Sequence, residues 1–286
     1  MRTTHSIIPP VTPVNIANRF SVGTGQPLCL IAGPCVVESL EMSLLVANTL
    51  KKLCKSLGIN YIFKSSFDKA NRSSFSSRRG LGMDAGLKIL QAVHEQCDVP
   101  VLTDVHETWQ CKPAAAVADV LQIPAFLVRQ TDLLQAAAKT GKAINVKKGQ
   151  FMAPWDMKNV VEKLQEANNT QSILLCERGT SFGYNSLIVD MTGLVEMRKL
   201  GYPIVFDATH SVQEPGGEGT FSGGNRAMIP PLMRAAIGVG IDALFAEVHP
   251  DPDNAWSDAA NQLSLDTISQ LLTNIVALDK TVKSLS

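Results

Sequence analysis

Eight short apolar runs, each followed by a longer segment, limit the folds open to this chain more than any other feature of its sequence. They fall at residues 28–32, 60–64, 101–103, 120–123, 143–147, 173–176, 204–207 and 243–247. Runs this short and this continuously apolar suit strands covered on both faces, as in a parallel sheet. Between them, apolar positions recur at helical spacing, as in residues 39–56, 84–96, 133–140, 157–168 and 265–283. Strand and helix in alternation are the pattern of repeated βα units. Eight such units in 286 residues predict an α/β fold, a closed (β/α)8 TIM barrel over residues 28–286. Closure removes both sheet edges while the helices cover the outside. An open doubly wound sheet is the alternative. The prolines of residues 1–27 mark a short N-terminal extension, an irregular or hairpin-like cap rather than a separate domain.

Charge and cysteine usage narrow the functional classes. Lys and Arg total 26 and so do Asp and Glu, so no overall field favours nucleic acid or an anionic membrane surface. Any affinity for anions is local. The six cysteines, Cys29, Cys35, Cys54, Cys97, Cys111 and Cys176, show no paired spacing, which fits reduced thiols in a cytoplasmic protein. The first residues lack the apolar stretch of a secretion signal, and no later segment is apolar over the length of a bilayer span.

In a barrel, the catalytic face is built at the C-terminal ends of the strands. The polar residues found there are Cys35, Lys64, Asp104, Gln122 with Arg129, Lys147, Arg178, Asp207 with His210, and Glu247. Lys69 and Arg72 add charge just after the second run. Lysine offers a compact charge and arginine a planar fork of donors, so this rim suits phosphorylated substrates. Any one of these residues alone reads more readily as a solvated loop end. Their coincidence on one rim reverses that judgement. Residues 64–74, KSSFDKANRSS, read equally well as a phosphate cradle or an ordinary polar loop. Residues 215–226, PGGEGTFSGGNR, read as a mobile lid, with a surface loop as the alternative.

Cys35, His210, Glu247 and Asp258 offer a thiolate, an imidazole and two carboxylates. That mixture suits a borderline divalent ion such as iron, zinc, manganese or cobalt. No local ligand spacing links them, and only a closed barrel makes the ends of its first, seventh and eighth strands converge. A buried cysteine is more often a small hydrophobe than a ligand. His210 also suits a general acid or base, and His249 competes for the ligand position.

The ordered motifs AGPCVVES, FKSSFDKANRSS, TDVHE, LQIPAFLVRQTDLL, NVKKGQF, CERG, FDATHSVQ, PGG and EVHPDPDNAWSDAANQL resemble those of the 3-deoxy-D-manno-octulosonate 8-phosphate synthases. The resemblance runs from about Leu28 to Leu263. It implies a homotetrameric barrel that condenses phosphoenolpyruvate with arabinose 5-phosphate and water. By motif, Lys64, Lys69, Lys147 and Arg178 resemble the phosphoenolpyruvate-binding cations, with Ser66 and Gln122 nearby. Asn71, Arg72 and Ser73 resemble the arabinose 5-phosphate contacts, and Asp104 faces the sugar. Arg129 resembles an arginine lent by a neighbouring subunit. Cys35 resembles the cysteine of the metal-dependent branch, whose other ligands then fall on His210, Glu247 and Asp258 and leave His249 out.

Two rival readings remain at this stage. The 3-deoxy-D-arabino-heptulosonate 7-phosphate synthases share barrel, phosphoenolpyruvate site and metal ligands but take erythrose 4-phosphate. KANRSS at residues 69–74 departs from the K-P-R-T-S type motif typical of that family. A barrel that binds sugar phosphates without turnover is the other rival, yet every expected substrate and metal position is occupied.

Overall fold

The computed structural model describes residues 8–285 apart from 73, 76, 169 and 216–222. Eight strands form the barrel: β1 Cys29–Gly33, β2 Asn60–Lys64, β3 Val101–Asp104, β4 Val120–Ile123, β5 Ala143–Lys147, β6 Ile173–Glu177, β7 Ile204–Asp207 and β8 Ala243–His249. Each is followed by a helix: α1 Leu40–Leu57, α2 Met83–Cys97, α3 Cys111–Val117, α4 Thr131–Ala138, α5 Met157–Asn168, α6 Met191–Arg198, α7 Ile229–Val239 and α8 Ile268–Ser284. The strands pair in parallel in chain order from β1 to β7. β8 pairs with both β1 and β7 and closes the sheet. This is the (β/α)8 barrel expected from the sequence, and the open-sheet alternative falls with that closure.

Element ends follow local chemistry. Ser39 caps α1, its hydroxyl accepting from the Met42 amide, and Gly58 ends that helix in the left-handed conformation at φ 70°. Residues 265–267, expected as helical, instead belong to the turn after a short strand, Leu263–Ser264, that pairs with the end of β8. The Leu265 amide donates to the His249 carbonyl there. Three helices carry a weaker signal in the sequence: α3 is short and alanine-rich, α6 holds Gly193, and α7 begins at a Pro-Pro pair.

Alternation along the strands sorts the side chains. Leu30, Phe63, Leu121, Ile144, Leu175, Phe206 and Leu244 face the helices. Cys29, Ile31, Ile62, Leu102, Val120, Ala143, Leu174, Cys176, Val205 and Phe245 fill the barrel interior. A strand's faces repeat every two residues. Two residues beyond Ile62, Leu102, Val120, Cys176, Val205 and Phe245 therefore stand Lys64, Asp104, Gln122, Arg178, Asp207 and Glu247, on the inward side at the C-terminal end. The interior is apolar at its base and ionic at its top.

The N-terminal strands Val14–Ile16 and Phe20–Val22 form a hairpin whose Val14, Ile16 and Val22 join the interior cluster. Ala17 and Asn18 at its turn both have positive φ, the geometry of a type I′ turn. Arg198 fastens the segment to the barrel. Its guanidinium pairs with Asp242, and its Nε and Nη2 donate to the carbonyl of Pro9 and the hydroxyl of Thr24. Asp242 also accepts from the Ile204 amide. Removing the cation leaves a buried carboxylate unpaired, so Arg198→Met is expected to lower unfolding stability by about 3–5 kcal/mol. Urea unfolding followed by circular dichroism checks this, and a midpoint equal to that of the parent protein contradicts it.

Candidate active site

A cavity of about 960 Å³ opens at the C-terminal end of the barrel. Its lining includes Lys64, Lys69, Arg72, Arg78, Lys147 and Arg178, a cationic surface in a chain with no net charge. Such a cavity gathers anions locally and not through the field of the whole molecule.

β1 ends at Gly33, where a Cβ would lie 2.2 Å from the Lys64 carbonyl oxygen, so only glycine admits this approach of β2. Beyond it the chain turns Cys35 inward, fully buried. The Cys35 Sγ lies 3.1 Å from Asp258 Oδ2, and donor atoms of Cys35, Glu247 and Asp258 all lie within 4.8 Å of one another. His210 Nε2 is 3.7 Å from Glu247 Oε1 and 3.8 Å from Asp258 Oδ2. Ligands about 2.0–2.3 Å from a tetrahedral ion stand roughly 3.4 Å apart, close to these spacings. Glu247 Oε2 is buried without a hydrogen-bond partner, an open valence that a cation would fill. Asp258 holds a left-handed backbone at φ 51°, a conformation that non-glycine residues keep where the surroundings enforce it. The donor set and its spacing fit a divalent cation. His249 lies 3.3 Å from Glu38 and accepts from the Asp251 amide, and it does not join the group.

Ion pairs hold the rim in place. Lys64 Nζ donates to Glu247 Oε1 at 2.7 Å and to the Cys35 carbonyl at 3.0 Å, joining the ends of β8 and β1. Lys69 approaches the same carboxylate oxygen at 3.8 Å. Burial works against the Glu247 carboxylate, but Lys64, His210, Lys69 and Lys147 outweigh it and keep its pKa below the ordinary range. Lys147 Nζ donates to Asp207 Oδ2 at 2.6 Å and sits 4.1 Å from the centre of the Phe245 ring. His210 Nδ1 lies 2.8 Å from that same Asp207 oxygen. Burial opposes the Asp207 charge too, and His210 and Lys147 overcome it. For Cys35 the balance is reversed: burial first, then the charges of Asp258 and Glu247, push its thiol well above the usual value.

On the opposite wall, Ser66 donates to Asp104 Oδ1, and His106 Nε2 lies 2.9 Å from Asp104 Oδ2. Burial of Asp104 is outweighed by His106, Lys69 and Lys64, so the carboxylate stays ionised. Gln122 accepts from Asn145 at 2.9 Å. Arg178 donates through Nη2 to Gln213 Oε1 at 2.6 Å, while its Nη1 is buried without a partner. Asn71 and Arg72 line the mouth of the cavity. The Arg72 Nη2 donates to the Trp256 carbonyl at 2.7 Å, and Arg78 stacks on the Trp256 ring at 4.8 Å. These two contacts join the loop after β2 to the loop that carries Asp258.

The structure thus brings Lys64, Lys69, Asp104, Gln122, Lys147, Arg178, His210, Asn71, Arg72 and Asp258 to one cavity, with Cys35, Ser66 and Glu247 buried beside it. Arg129 is apart: it is exposed, outside this lining, and its carbonyl accepts from Lys163. Ser73 lies outside the described residues, and so do 216–222 of the expected lid. Sequence reasoning passed over His106, Gln150 and Gln213, which also line the cavity. Gln213 sits in the quoted FDATHSVQ motif and His106 in TDVHE. Their adjacency to charged residues was the available signal.

No helix among the described residues is long and apolar enough to cross a membrane. Comparison with known proteins gives a consistent result. The family described as the DAHP synthetase I family matches residues 11–284. A Fusobacterium nucleatum protein named 2-dehydro-3-deoxyphosphooctonate aldolase is 56% identical over 275 residues, which cover 94% of this chain and 99% of that protein. Proteins of the same name from Dechloromonas aromatica and Xylella fastidiosa are each 58% identical. They cover 93% and 92% of this chain and 96% and 95% of their own lengths. With agreement this deep over nearly the full length, the chain belongs to the DAHP synthetase I family and, within it, to the 3-deoxy-D-manno-octulosonate 8-phosphate synthases, also called 2-dehydro-3-deoxyphosphooctonate aldolases.

Proposed function

We propose that the protein condenses phosphoenolpyruvate with D-arabinose 5-phosphate and water, giving 3-deoxy-D-manno-octulosonate 8-phosphate and inorganic phosphate for lipopolysaccharide sugar synthesis. The observation that carries this reading is the cationic cavity beside the Cys35, His210, Glu247 and Asp258 cluster. Two phosphorylated substrates bring several negative charges, and the rim supplies Lys64, Lys69, Lys147 and Arg178 for one and Arg72 for the other. In this reading Ser66 and Gln122 flank phosphoenolpyruvate, Asn71 and Ser73 assist Arg72 at the sugar phosphate, and Asp104 faces the sugar. Arg129 is exposed and lies outside the lining of its own cavity, as suits a residue that completes a neighbour's site in a homotetramer. The six free cysteines are all buried, in keeping with a cytoplasmic enzyme.

The chemistry asks for two reactants held in register. The enol carbon of phosphoenolpyruvate attacks the aldehyde carbon and forms the carbon–carbon bond, while water adds at the carbon bearing the phosphate ester. Phosphate then leaves by carbon–oxygen cleavage, and the released protons pass to the new hydroxyl and to solvent. Proximity supplies much of the rate. Lys147 and Arg178 stand fixed by Asp207 and Gln213, so they meet the developing charge without reorganising. His210 turns Nδ1 to Asp207 and presents Nε2 to the cluster. A divalent ion such as iron, zinc, manganese or cobalt, held by Cys35, His210, Glu247 and Asp258, supplies Lewis-acid polarisation of an oxygen atom.

Phosphate release from phosphoenolpyruvate is expected only when arabinose 5-phosphate is present, with erythrose 4-phosphate the poorer partner in a side-by-side assay. Faster turnover with erythrose 4-phosphate shifts the assignment to the heptulosonate reaction. No turnover with either aldose leaves a binding protein.

A further inference from the structure

One side chain links the anion pocket to the metal cluster, and neither substrate binding nor metal ligation accounts for it. Gln213 accepts at Oε1 from Arg178 Nη2 at 2.6 Å and donates from Nε2 to Asp258 Oδ1 at 3.1 Å. Its orientation is forced from both ends. A guanidinium has only donors and an ionised carboxylate only acceptors, so the amide oxygen must face Arg178 and the amide nitrogen Asp258. No aliphatic or acidic residue of this size satisfies both.

The bridge also selects an oxygen. With Oδ1 of Asp258 taken by the amide, Oδ2 is the oxygen left toward Cys35 Sγ at 3.1 Å and His210 Nε2 at 3.8 Å. Arg178 is divided in the same way, with Nη2 on the amide and Nη1 buried and unpartnered. Gln213 and His210 ride on one short turn after β7, where the Gln213 backbone N–H donates to the His210 carbonyl. Gln213 is itself buried and pairs with Gly224, so its side chain has little freedom to drift.

We propose that Gln213 is a positioning residue that couples the two halves of the site, so that the anion held by Arg178 and the cation held at Asp258 each strengthen the binding of the other. The inference rests on the function proposed above. An anion on Nη1 draws on the same guanidinium that donates to the amide, and the amide in turn donates to Asp258. Charge placed at either end repolarises the hydrogen-bonded chain in favour of the opposite charge at the other end, so the second ligand binds more tightly than the first. Coupling between binding sites is reciprocal.

The test uses the full-length chelated protein, with Co2+ and phosphoenolpyruvate as probes. Cobalt binding is followed by its thiolate absorption band, and phosphoenolpyruvate binding by calorimetry. For the parent protein, saturating phosphoenolpyruvate is expected to tighten Co2+ binding about 5-fold or more, with the same factor in the reverse titration. In Gln213→Met, which removes both hydrogen bonds, and in Gln213→Glu, which keeps an acceptor for Arg178 but repels Asp258, the factor is expected to fall to about one. Each variant binds Co2+ roughly 10–100-fold more weakly, the usual cost of losing a ligand's supporting hydrogen bond. The KM for phosphoenolpyruvate is expected to rise more than that for the aldose. Thermal melts identify which variant is folded, and either one suffices. A folded variant that keeps the parental coupling factor overturns the inference, and so does a parent protein that binds both probes without coupling. A parent protein that binds neither probe overturns the functional reading itself, and the bridge falls with it.

Discussion

Lys147→Met is expected to lower kcat/KM for the condensation by about 10²–10³-fold, the usual cost of removing one preorganised group that meets transition-state charge. The same change is expected to lower stability by about 1.5–3 kcal/mol, because the buried Asp207 carboxylate loses its ammonium donor and keeps only its contacts with His210 and Thr209. Both effects come from one contact. The ammonium lies 2.6 Å from Asp207, whose carboxylate is fully buried, and Lys147 itself is nearly so. The two effects separate in the double variant Lys147→Met with Asp207→Asn. Removing both charges restores most of the stability, because a buried pair replaced as a whole costs little, while activity stays low. Urea unfolding and steady-state phosphate release on the two proteins check this. A single variant with near-parental turnover shows that Lys147 serves packing alone.

Metal removal is the second large effect. Chelation is expected to cost roughly 10²-fold or more in turnover, since a Lewis acid is worth several kcal/mol of charge stabilisation. Adding back manganese, cobalt, zinc or iron restores it, and the relative recovery ranks the ions. The sequence position that decides the matter is Cys35, whose Sγ lies among the carboxylates of Glu247 and Asp258. Burial and those charges push the thiol pKa well above its usual value. Cys35→Asn replaces the soft ligand with a neutral amide and is expected to reduce the metal requirement of the remaining activity. An unchanged requirement in that variant, or full activity after chelation of the parent, removes the metal from the reading.

Much of this site can be read in the sequence because a strand has period two. Ile62 and Lys64, or Phe245 and Glu247, must share a face whatever the sheet does. The apolar residues therefore announce which face is internal, and the charged residue two places on stands at its end. The strand positions emerge in the same way, to within a residue or two. The metal cluster is different. Cys35 and Asp258 are 223 residues apart, with no local motif between them, and in the sequence only their donor chemistry, an expected barrel closure and the family resemblance join them.

Tertiary structure decided the rest. Only the pairing of β8 with both β7 and β1 brings His210, Glu247 and Cys35 together, and periodicity describes each strand without saying whether the sheet closes. The hairpin that plugs the base, the place of Arg129 outside the cavity lining and the contact of His249 with Glu38 all depend on packing between distant segments. Gln213 shows the difference most clearly. As a letter in FDATHSVQ it is a polar loop residue. In the folded chain, donors on one side and acceptors on the other leave its amide one orientation. The sequence alone determined the repeating units, the inward face of each strand and the kind of charge at its end. Closure of the barrel decided which of those charges meet, because a contact between remote residues depends on the path of the whole chain between them.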